Sequence, residues 1–188
     1  TTPWTIPANK ALAFNSNIEY SVLEIENLEH FKDKRIVVAK NLINSITKEC
    51  EIKSYKELRT FKGSEFKGTI CSHPFVKMDF DYNVPMLDAQ FVNLEQGTGI
   101  VHCAPSHGPD DFNLCLKNNI PSLYTVDNAG VYTDEVPYFT NTHVFKADPI
   151  VIEKLKEQNK LIKNDKLNHS YPHSWGSKAP LIFGATPQ

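Results

Sequence analysis

The alternation of apolar and polar positions predicts a strand near the beginning of the chain. From Ile18 to Glu26, in IEYSVLEIE, apolar residues alternate with polar ones as they do in a strand with one buried face. Shorter strand-like runs follow at 51–55, 66–71 and 90–92, and glycine and proline separate them. The pattern therefore predicts several short strands that are joined by turns.

Three other segments have the spacing of helices. From Asp33 to Thr47, apolar residues recur on one face of a predicted amphipathic helix, namely Ile36, Val37, Ala39, Leu42, Ile43 and Ile46. The run from Pro109 to Leu116 predicts a helix with proline at its first position and two acids in its first turn. A third helix is predicted with Asp148 as its cap, Pro149 as its first residue and an end near Lys160.

These elements predict a mixed α+β architecture in which the strands form a strongly bent sheet or a small barrel. Regular strand–helix–strand alternation is missing, which argues against a doubly wound parallel sheet. The chain shows no internal repeat and no low-complexity linker, so residues 1–188 are predicted to be one domain.

Composition and charge exclude some classes of protein. The 188 residues are 40% hydrophobic and 22% charged, which is typical of a globular domain, and the net charge of -2 gives no global basic field for nucleic acid. No apolar run approaches the ~20 residues of a membrane span. Four scattered cysteines without a C-x-x-C pair fit a reducing cytosol. Because the chain begins without methionine and ends just after a strand-like run, we expect it to be a fragment of a longer protein.

The chemically densest stretch is GTGIVHCAPSHGPDDF, residues 97–112. Its side chains His102, His107, Asp110 and Asp111 are of the types that bind zinc or iron. Their spacing, however, matches no established ligand motif. The two aspartates also suit a helix N-terminus, where each contributes ~0.3–1 kcal/mol.

Nucleophilic catalysis is a second interpretation of the same stretch. Ser106 or Cys103 could act with a neighbouring histidine, but neither a G-x-S-x-G elbow nor a cysteine-protease signature is present. The more distant pair His169 and His173 is separated by Pro172, so we expect a structural or surface role for it. Chemistry alone leaves the function of this loop open.

The first residues, TTPWTIPAN, form a second dense stretch. Its threonines offer hydroxyl donors and acceptors, its prolines hold the backbone extended, and Trp4 can form a flat pocket wall. An edge strand or a linker with chance threonines would have the same composition.

Together these stretches resemble segments of isoleucyl-tRNA synthetases. TTPWTIPAN resembles the threonine-rich segment of that family, and GTGIVHCAPSHGPDDF resembles its second editing segment. GSEFKGTICSHPF and HSYPHSW…KAPLIFGATPQ resemble two further segments, and all four occur in family order along the whole chain. The resemblance implies the editing insertion of a class I synthetase (connective polypeptide 1), with a small β-barrel core and peripheral helices. The HIGH and KMSKS signatures are absent, so we expect no amino-acid activation by this chain.

What the resemblance implies is hydrolysis of valine wrongly esterified to the 3′-terminal adenosine of isoleucine tRNA, with valyl adenylate as a second expected substrate. Isoleucyl-tRNA synthetase is itself the standard example of the need for such a step, because one methylene contributes only ~1–3 kcal/mol of discrimination. The expected partners are the tRNA and the remainder of the synthetase chain, and we expect a cytoplasmic monomer.

The resemblance also assigns residues. Asp111 is expected to bind the substrate α-ammonium group, and His102 to limit the side-chain pocket so that valine enters and isoleucine does not. Thr1 and Thr2 are expected to hold the ester and the terminal ribose, with Trp4 and Asn9 in the same substrate-binding segment. Catalysis is expected to depend on Asp111, Thr2 and His102, without a metal, a cofactor or a covalent nucleophile.

Two rival functions remain at the level of sequence. One is a metal-dependent hydrolase that uses His102, His107 and Asp111. The other is a tRNA-binding insertion domain that has lost hydrolysis.

Overall fold

The computed structural model describes residues 1–28, 31, 34–95, 97–165, 175 and 181–185. Its strands are β1 (Ala11–Phe14), β2 (Glu19–Ile25), β3 (Arg35–Ala39), β4 (Tyr55–Lys62), β5 (Ile70–Ser72), β6 (Asn83–Asp88) and β7 (Val101–Cys103). Its α-helices are α1 (Ile43–Glu49), α2 (Pro109–Lys117) and α3 (Val144–Glu157). Short 3₁₀ helices occupy Pro3–Ala8, Lys40–Leu42, Gly63–Phe66 and Val76–Met78. In the described part of the chain, no helix has the length and apolar character that crossing a membrane requires.

The chain folds into two compact units, each built from segments that are separated in sequence. The sheet unit comprises Ala11–Ser72 and Asn83–Cys103, and the helical unit comprises Thr1–Lys10, His73–Tyr82 and Ala104–Gln188. The sheet unit contains strands β1 to β7, whereas α2 and α3 belong to the helical unit.

The strands of the sheet unit form two sheets. A four-stranded mixed sheet has the order β5-β6-β1-β7, in which β1 runs parallel to β6 and antiparallel to β7. A three-stranded antiparallel sheet has the order β3-β2-β4. The α+β class predicted from the sequence is confirmed.

The predicted closed barrel does not form among the described residues. The edge strands β5 and β7 of the larger sheet are three residues long and do not pair with each other, and the smaller sheet ends at β3 and β4. Closing a barrel requires a continuous ladder with matched tilt and stagger, which two short, separate sheets do not provide.

The segment predicted as one helix from Asp33 to Thr47 is a strand followed by a helix. Its first part is β3, which pairs with β2 over the register Val22↔Val37, and only its second part is helical, in α1. The consecutive β-branched residues of Arg35–Ala39 favour a strand, and pairing with β2 determines the outcome. The β2 prediction itself is confirmed, whereas 90–92 form a turn and the run at 51–55 reaches a strand only at Tyr55.

The helical unit packs α3 onto an aromatic core. The helix contributes buried residues at the spacing of one helical face, and the core comprises Trp4, Phe75, Phe80, Val126, Tyr132, Val136, Phe139, Val144, Ala147, Val151 and Leu155. The rings of Phe75, Phe80 and Phe139 lie within 5.5–6.1 Å of one another. This core supports the segments that carry the candidate site.

The start of α3 differs from the prediction, whereas α2 confirms its predicted start at Pro109. The cap of α3 is His143, whose Nδ1 accepts a hydrogen bond from the Phe145 backbone N–H at 3.2 Å. Pro149 lies inside the helix, and Asp148 uses its carboxylate to accept a hydrogen bond from the Trp4 backbone N–H at 2.9 Å. A tertiary contact thus replaces the capping role that the sequence predicted for Asp148.

Candidate functional site

The threonine segment (Thr1–Asn9) is a 3₁₀ helix with two threonines before it. The helix covers Pro3–Ala8, and Thr2 stands at its N-cap position without a capping hydrogen bond from its side chain. The Thr2 carbonyl accepts hydrogen bonds from the Thr5 backbone N–H at 3.2 Å and from the Thr5 hydroxyl at 2.9 Å. Thr1 is exposed and Thr2 is half-buried, so both residues lie at the surface end of the segment.

Trp4 ties the beginning of this segment to the helical unit. Its backbone N–H donates to Asp148, and its carbonyl accepts from the Tyr132 hydroxyl. The residue is 5% exposed, and its ring lies edge-on to the His107 ring, with 4.7 Å between the ring centroids. Burial raises the pKa of the Asp148 carboxyl and of the Tyr132 phenol. Trp4 is therefore held in place by its backbone and by its ring.

Two further contacts hold the middle and the end of the segment. The His73 Nε2 donates to the Ile6 carbonyl at 3.0 Å, and the Tyr82 hydroxyl donates to the Asn9 carbonyl at 2.6 Å. The Asn9 backbone N–H also donates to Ile6, at 3.0 Å, and Asn9 is 4% exposed. The four anchor residues His73, Tyr82, Tyr132 and Asp148 thus hold the threonine segment along its length.

Asp111 lies in the first turn of α2 and is fixed by the loop before it. Its Oδ2 accepts a hydrogen bond from the Ala104 backbone N–H at 2.9 Å, and the residue is half-buried. Burial raises the pKa of the Asp111 carboxyl, the Ala104 bond lowers it, and the neighbouring Asp110 charge raises it. Gly108 leaves room for the carboxylate, because an added Cβ there would stand 3.1 Å from Oδ2.

His107 uses both of its ring nitrogens in hydrogen bonds to protein groups. Because a carbonyl only accepts, Nδ1 donates to the Phe183 carbonyl at 3.0 Å, and Nε2 accepts from the Thr125 hydroxyl at 2.9 Å. Burial lowers the pKa of the ring, which favours this neutral form. Together with the ring contact to Trp4, these bonds give His107 a structural role, because they tie the loop before α2 to Thr125 and Phe183.

Hydrogen bonds to the protein or burial occupy three of the groups that the metal and nucleophile interpretations require, namely His107, Ser106 and Cys103. Neither nitrogen of His107 offers a free lone pair to a metal, and the residues that the structure describes contain no group of three His, Cys, Asp or Glu that could hold an ion. Ser106 is buried and donates its hydroxyl proton to the Leu123 carbonyl at 2.6 Å, and Cys103 is buried in β7. Neither residue is presented to solvent as a nucleophile.

His102 belongs to the other unit. It lies on β7 in the sheet unit, opposite Leu12 of β1, and its side chain is half-exposed. Asp110 is exposed in the first turn of α2. His169 and His173 lie outside the described residues.

An apolar cavity lies beside the start of α2 in the helical unit. Its volume is about 260 Å³, and it is lined mainly by Pro105, Pro109, Phe112, Phe183 and Ala185. The Ala185 backbone N–H donates to the Ser106 carbonyl at 3.1 Å and so fixes one wall.

Sequence reasoning missed the four anchor residues. His73 stands in the GSEFKGTICSHPF run, but its partner Ile6 is 67 positions away in the sequence. The sequence shows only a histidine two positions before Phe75, and this signal reveals neither that the ring is buried nor which carbonyl it contacts.

Comparison with known proteins identifies the class to which this fold and site belong. The family profile described as leucyl-tRNA synthetase, editing domain, matches residues 18–166. The crystal structure of GlLeuRS-CP1 superposes with a TM-score of 0.67 at 13% identity, over 89% of this chain and 82% of that one. The P. falciparum cytosolic leucyl-tRNA synthetase editing domain superposes with a TM-score of 0.62 at 15% identity, over 85% and 75%. The chain belongs to this family of synthetase editing domains.

Within this family, the chain corresponds to the editing-domain region of isoleucine–tRNA ligases, which confirms the resemblance seen in the sequence. It is 64% identical over all of its 188 residues to the isoleucine–tRNA ligase of Pelagibacter ubique, of which it covers 21%. It is 40% identical over its full length to the enzyme of Mannheimia succiniciproducens, of which it covers 19%. The chain thus spans about a fifth of the length of these ligases.

Proposed function

We propose that this chain hydrolyses valine wrongly esterified to the 3′-terminal adenosine of isoleucine tRNA and spares isoleucine. The observation that carries the proposal is the Asp111 carboxylate, which is half-buried and held by the Ala104 N–H. Membership of the editing-domain family and similarity to isoleucine–tRNA ligases support it. Valyl adenylate is a second proposed substrate of the same site.

Asp111 is the proposed binding group for the substrate α-ammonium. A carboxylate that receives a charged donor forms a stronger hydrogen bond than a neutral pair does. The Ala104 bond fixes the orientation of the carboxylate before substrate arrives, so little ordering is left for the binding step.

The threonine segment is the proposed holder of the ester and of the terminal ribose. Thr1 and Thr2 stand before the 3₁₀ helix, and the Thr2 side chain is not used for capping. Trp4 and Asn9 belong to the same substrate-binding segment, and because both are buried, we propose that they hold the segment in place. His102 is the proposed limit on side-chain size, as in the family that the sequence resembles.

The proposed hydrolysis uses neither a metal nor a covalent nucleophile. An aminoacyl ester is already activated, so positioning a water molecule beside it supplies much of the rate. The free hydroxyl of the ribose can assist in orienting that water. The occupied ring nitrogens of His107 and the buried hydroxyl of Ser106 support this choice.

The proposed partners are isoleucine tRNA and the rest of a longer synthetase. Phosphate contacts dominate affinity for nucleic acid, and this chain has a net charge of -2. We therefore propose that most of the tRNA affinity comes from other parts of a ligase that acts in the cytoplasm, and that the chain itself is monomeric.

The first test is deacylation of valyl-tRNA and isoleucyl-tRNA by the chain in the presence of EDTA. We expect rapid loss of valine with isoleucine spared, and a decrease of about 100-fold or more in the Asp111→Ala variant because the ammonium loses its partner. Asp110→Ala is the matched control, since it removes a neighbouring exposed acid and should keep activity within about threefold.

Each contrary result indicates a different function. Inhibition by EDTA would favour a metal-dependent hydrolase. Binding of tRNA without hydrolysis would favour a binding-only domain. Full activity of Asp111→Ala would remove the proposed role of that carboxylate.

The proposed size limit is tested with His102→Ala. The smaller side chain should admit one additional methylene, so the variant should cleave isoleucyl-tRNA at a rate within about tenfold of that for valyl-tRNA. Discrimination that stays at the wild-type level would show that another group excludes isoleucine.

A further inference from the structure

We propose that His73 is a positioning residue of the editing site, because its Nε2–H···O=C hydrogen bond to Ile6 holds the threonine segment in the shape that presents Thr2. This inference rests on the proposed editing function. His73 lies at the beginning of the 73–82 segment of the helical unit, and it acts on the threonine segment through the Ile6 carbonyl.

Two hydrogen bonds and a stacking contact hold the His73 ring in place. His73 is 1% exposed, and its ring stacks on Phe80 with 4.6 Å between centroids and an interplanar angle of 13°. Its Nδ1 accepts the Phe75 backbone N–H at 3.0 Å, which leaves the proton of the neutral ring on Nε2. Burial lowers the pKa of the ring to about 4, which favours its neutral form at pH 7.

The acceptor of this bond lies at a sensitive point of the threonine segment. The Ile6 carbonyl also receives the Asn9 backbone N–H and so closes the last turn of the 3₁₀ helix. A 3₁₀ turn has poorer hydrogen-bond geometry than an α-helix, so this short helix depends on contacts from outside itself. The lateral bond from His73 fixes the middle of the segment, between the anchors on Trp4 and on Asn9.

Two substitutions separate the hydrogen bonds of the ring. His73→Asn places an amide near the position of Nδ1, where it can accept from Phe75 but cannot reach Ile6. His73→Gln places its amide near Nε2, where it can donate to Ile6 but leaves the Phe75 N–H without Nδ1. Both variants are neutral and polar, so each is the matched control of the other.

The functional measurement is steady-state deacylation of valyl-tRNA. We expect kcat to fall about tenfold or more in His73→Asn with KM changed less than about threefold, because a displaced segment misaligns the bound ester. His73→Gln should restore kcat to within about threefold of the wild type. Assays are run well below the Tm of each variant.

A second measurement does not depend on activity. Trp4 is buried within the segment, whereas Trp175 is 92% exposed, so a Trp175→Phe background leaves a single fluorescent reporter of the segment. His73→Asn should increase acrylamide quenching of Trp4, and His73→Gln should leave it unchanged. If the wild-type chain does not deacylate valyl-tRNA, the assay is repeated with the full-length ligase, and the editing proposal fails if that protein is inactive too. The quenching result decides in either case whether His73 positions the segment.

Three outcomes would overturn the inference. One is a His73→Asn variant whose kcat and Trp4 quenching are the same as those of the wild type. Another is an equal loss of kcat in His73→Asn and His73→Gln, in proportion to the decrease in the Tm of each variant. The third is a His73→Asn chain that does not fold, because the bond would then support the fold itself.

Discussion

The position of the Asp111 carboxylate depends on a neighbour that has no side chain. A Cβ added to Gly108 would stand 3.1 Å from Oδ2 and 3.2 Å from Cγ of Asp111. Gly108 itself has φ near -149°, a conformation that other residues adopt readily, so its value here is space rather than backbone freedom. The sequence shows the glycine and the aspartate but not that they touch.

We therefore expect Gly108→Ala to reduce activity more than stability. The methyl group would shift the carboxylate by a few tenths of an ångström, and deacylation of valyl-tRNA should fall about tenfold, since small misplacements of a binding group cost rate. The free energy of unfolding should fall by about 1 kcal/mol or less. Gly184→Ala is the control, because an added Cβ there meets no atom within 4 Å.

Unchanged deacylation in Gly108→Ala would show that the exact place of the carboxylate is unimportant. A parallel loss of activity and stability would indicate that the methyl group disrupts α2 as a whole.

At the scale of elements, the segment from Asp33 to Thr47 shows how far a hydrophobic pattern can be read. Ile36, Val37 and Ala39 fit a helical face, yet Arg35–Ala39 is a strand because the edge of β2 is available for pairing. For α2 the local pattern was sufficient to predict where the helix begins, because Pro109 and the two acids after it are typical of a helix start. Local signals thus predicted α2, and a non-local pairing decided β3.

The end of β3 also packs against the glycine-rich loop before β7. The Ala39 backbone N–H donates to the Thr98 carbonyl at 2.8 Å, and a Cβ on Gly99 would lie 2.5 Å from the Ala39 Cβ. Gly97 has nearly the same positive φ, 75° against 76°, but an added Cβ there meets nothing within 4 Å. The two glycines therefore share a backbone requirement and differ in packing.

This difference gives a prediction for urea unfolding. Gly97→Ala should lower the free energy of unfolding by about 1 kcal/mol through backbone strain alone, whereas Gly99→Ala should lower it by about 2–4 kcal/mol because overpacking adds to the strain. Equal losses in the two variants would show that the loop can move away from β3 without cost.

At the scale of the whole molecule, each of the two units carries residues that the sequence motifs singled out. Asp111 and the threonine segment belong to the helical unit, and His102 belongs to the sheet unit. Each of these residues stands inside a short contiguous motif, so the sequence alone was enough to propose it. The anchors His73 and Tyr82 could not be predicted, because their partners lie 67 and 73 positions away.

One of these anchors also couples global stability to pH. Burial, with a smaller contribution from the Lys10 charge, lowers the pKa of His73 from 6.5 to about 4, whereas the bond to Ile6 opposes the shift. Below pH 6.5 the unfolded chain binds a proton that the folded chain does not, so stability decreases as the pH falls. The stabilisation is complete above pH 6.5 and is lost on approaching pH 4.

The measurement is the difference in unfolding free energy between the wild type and His73→Gln, whose amide does not titrate. Other groups also make stability depend on pH. The raised pKa values of Asp111 and Asp148 act in the direction opposite to His73, and the lowered pKa of His107 acts in the same direction. Because both chains contain these groups, their contributions cancel in the comparison. We expect the wild-type advantage to be smaller by about 2–3 kcal/mol at about pH 4.5 than at about pH 7.5. A difference that stays constant with pH would show that the ring is protonated at no cost in the folded state, which its bond from the Phe75 N–H to Nδ1 argues against.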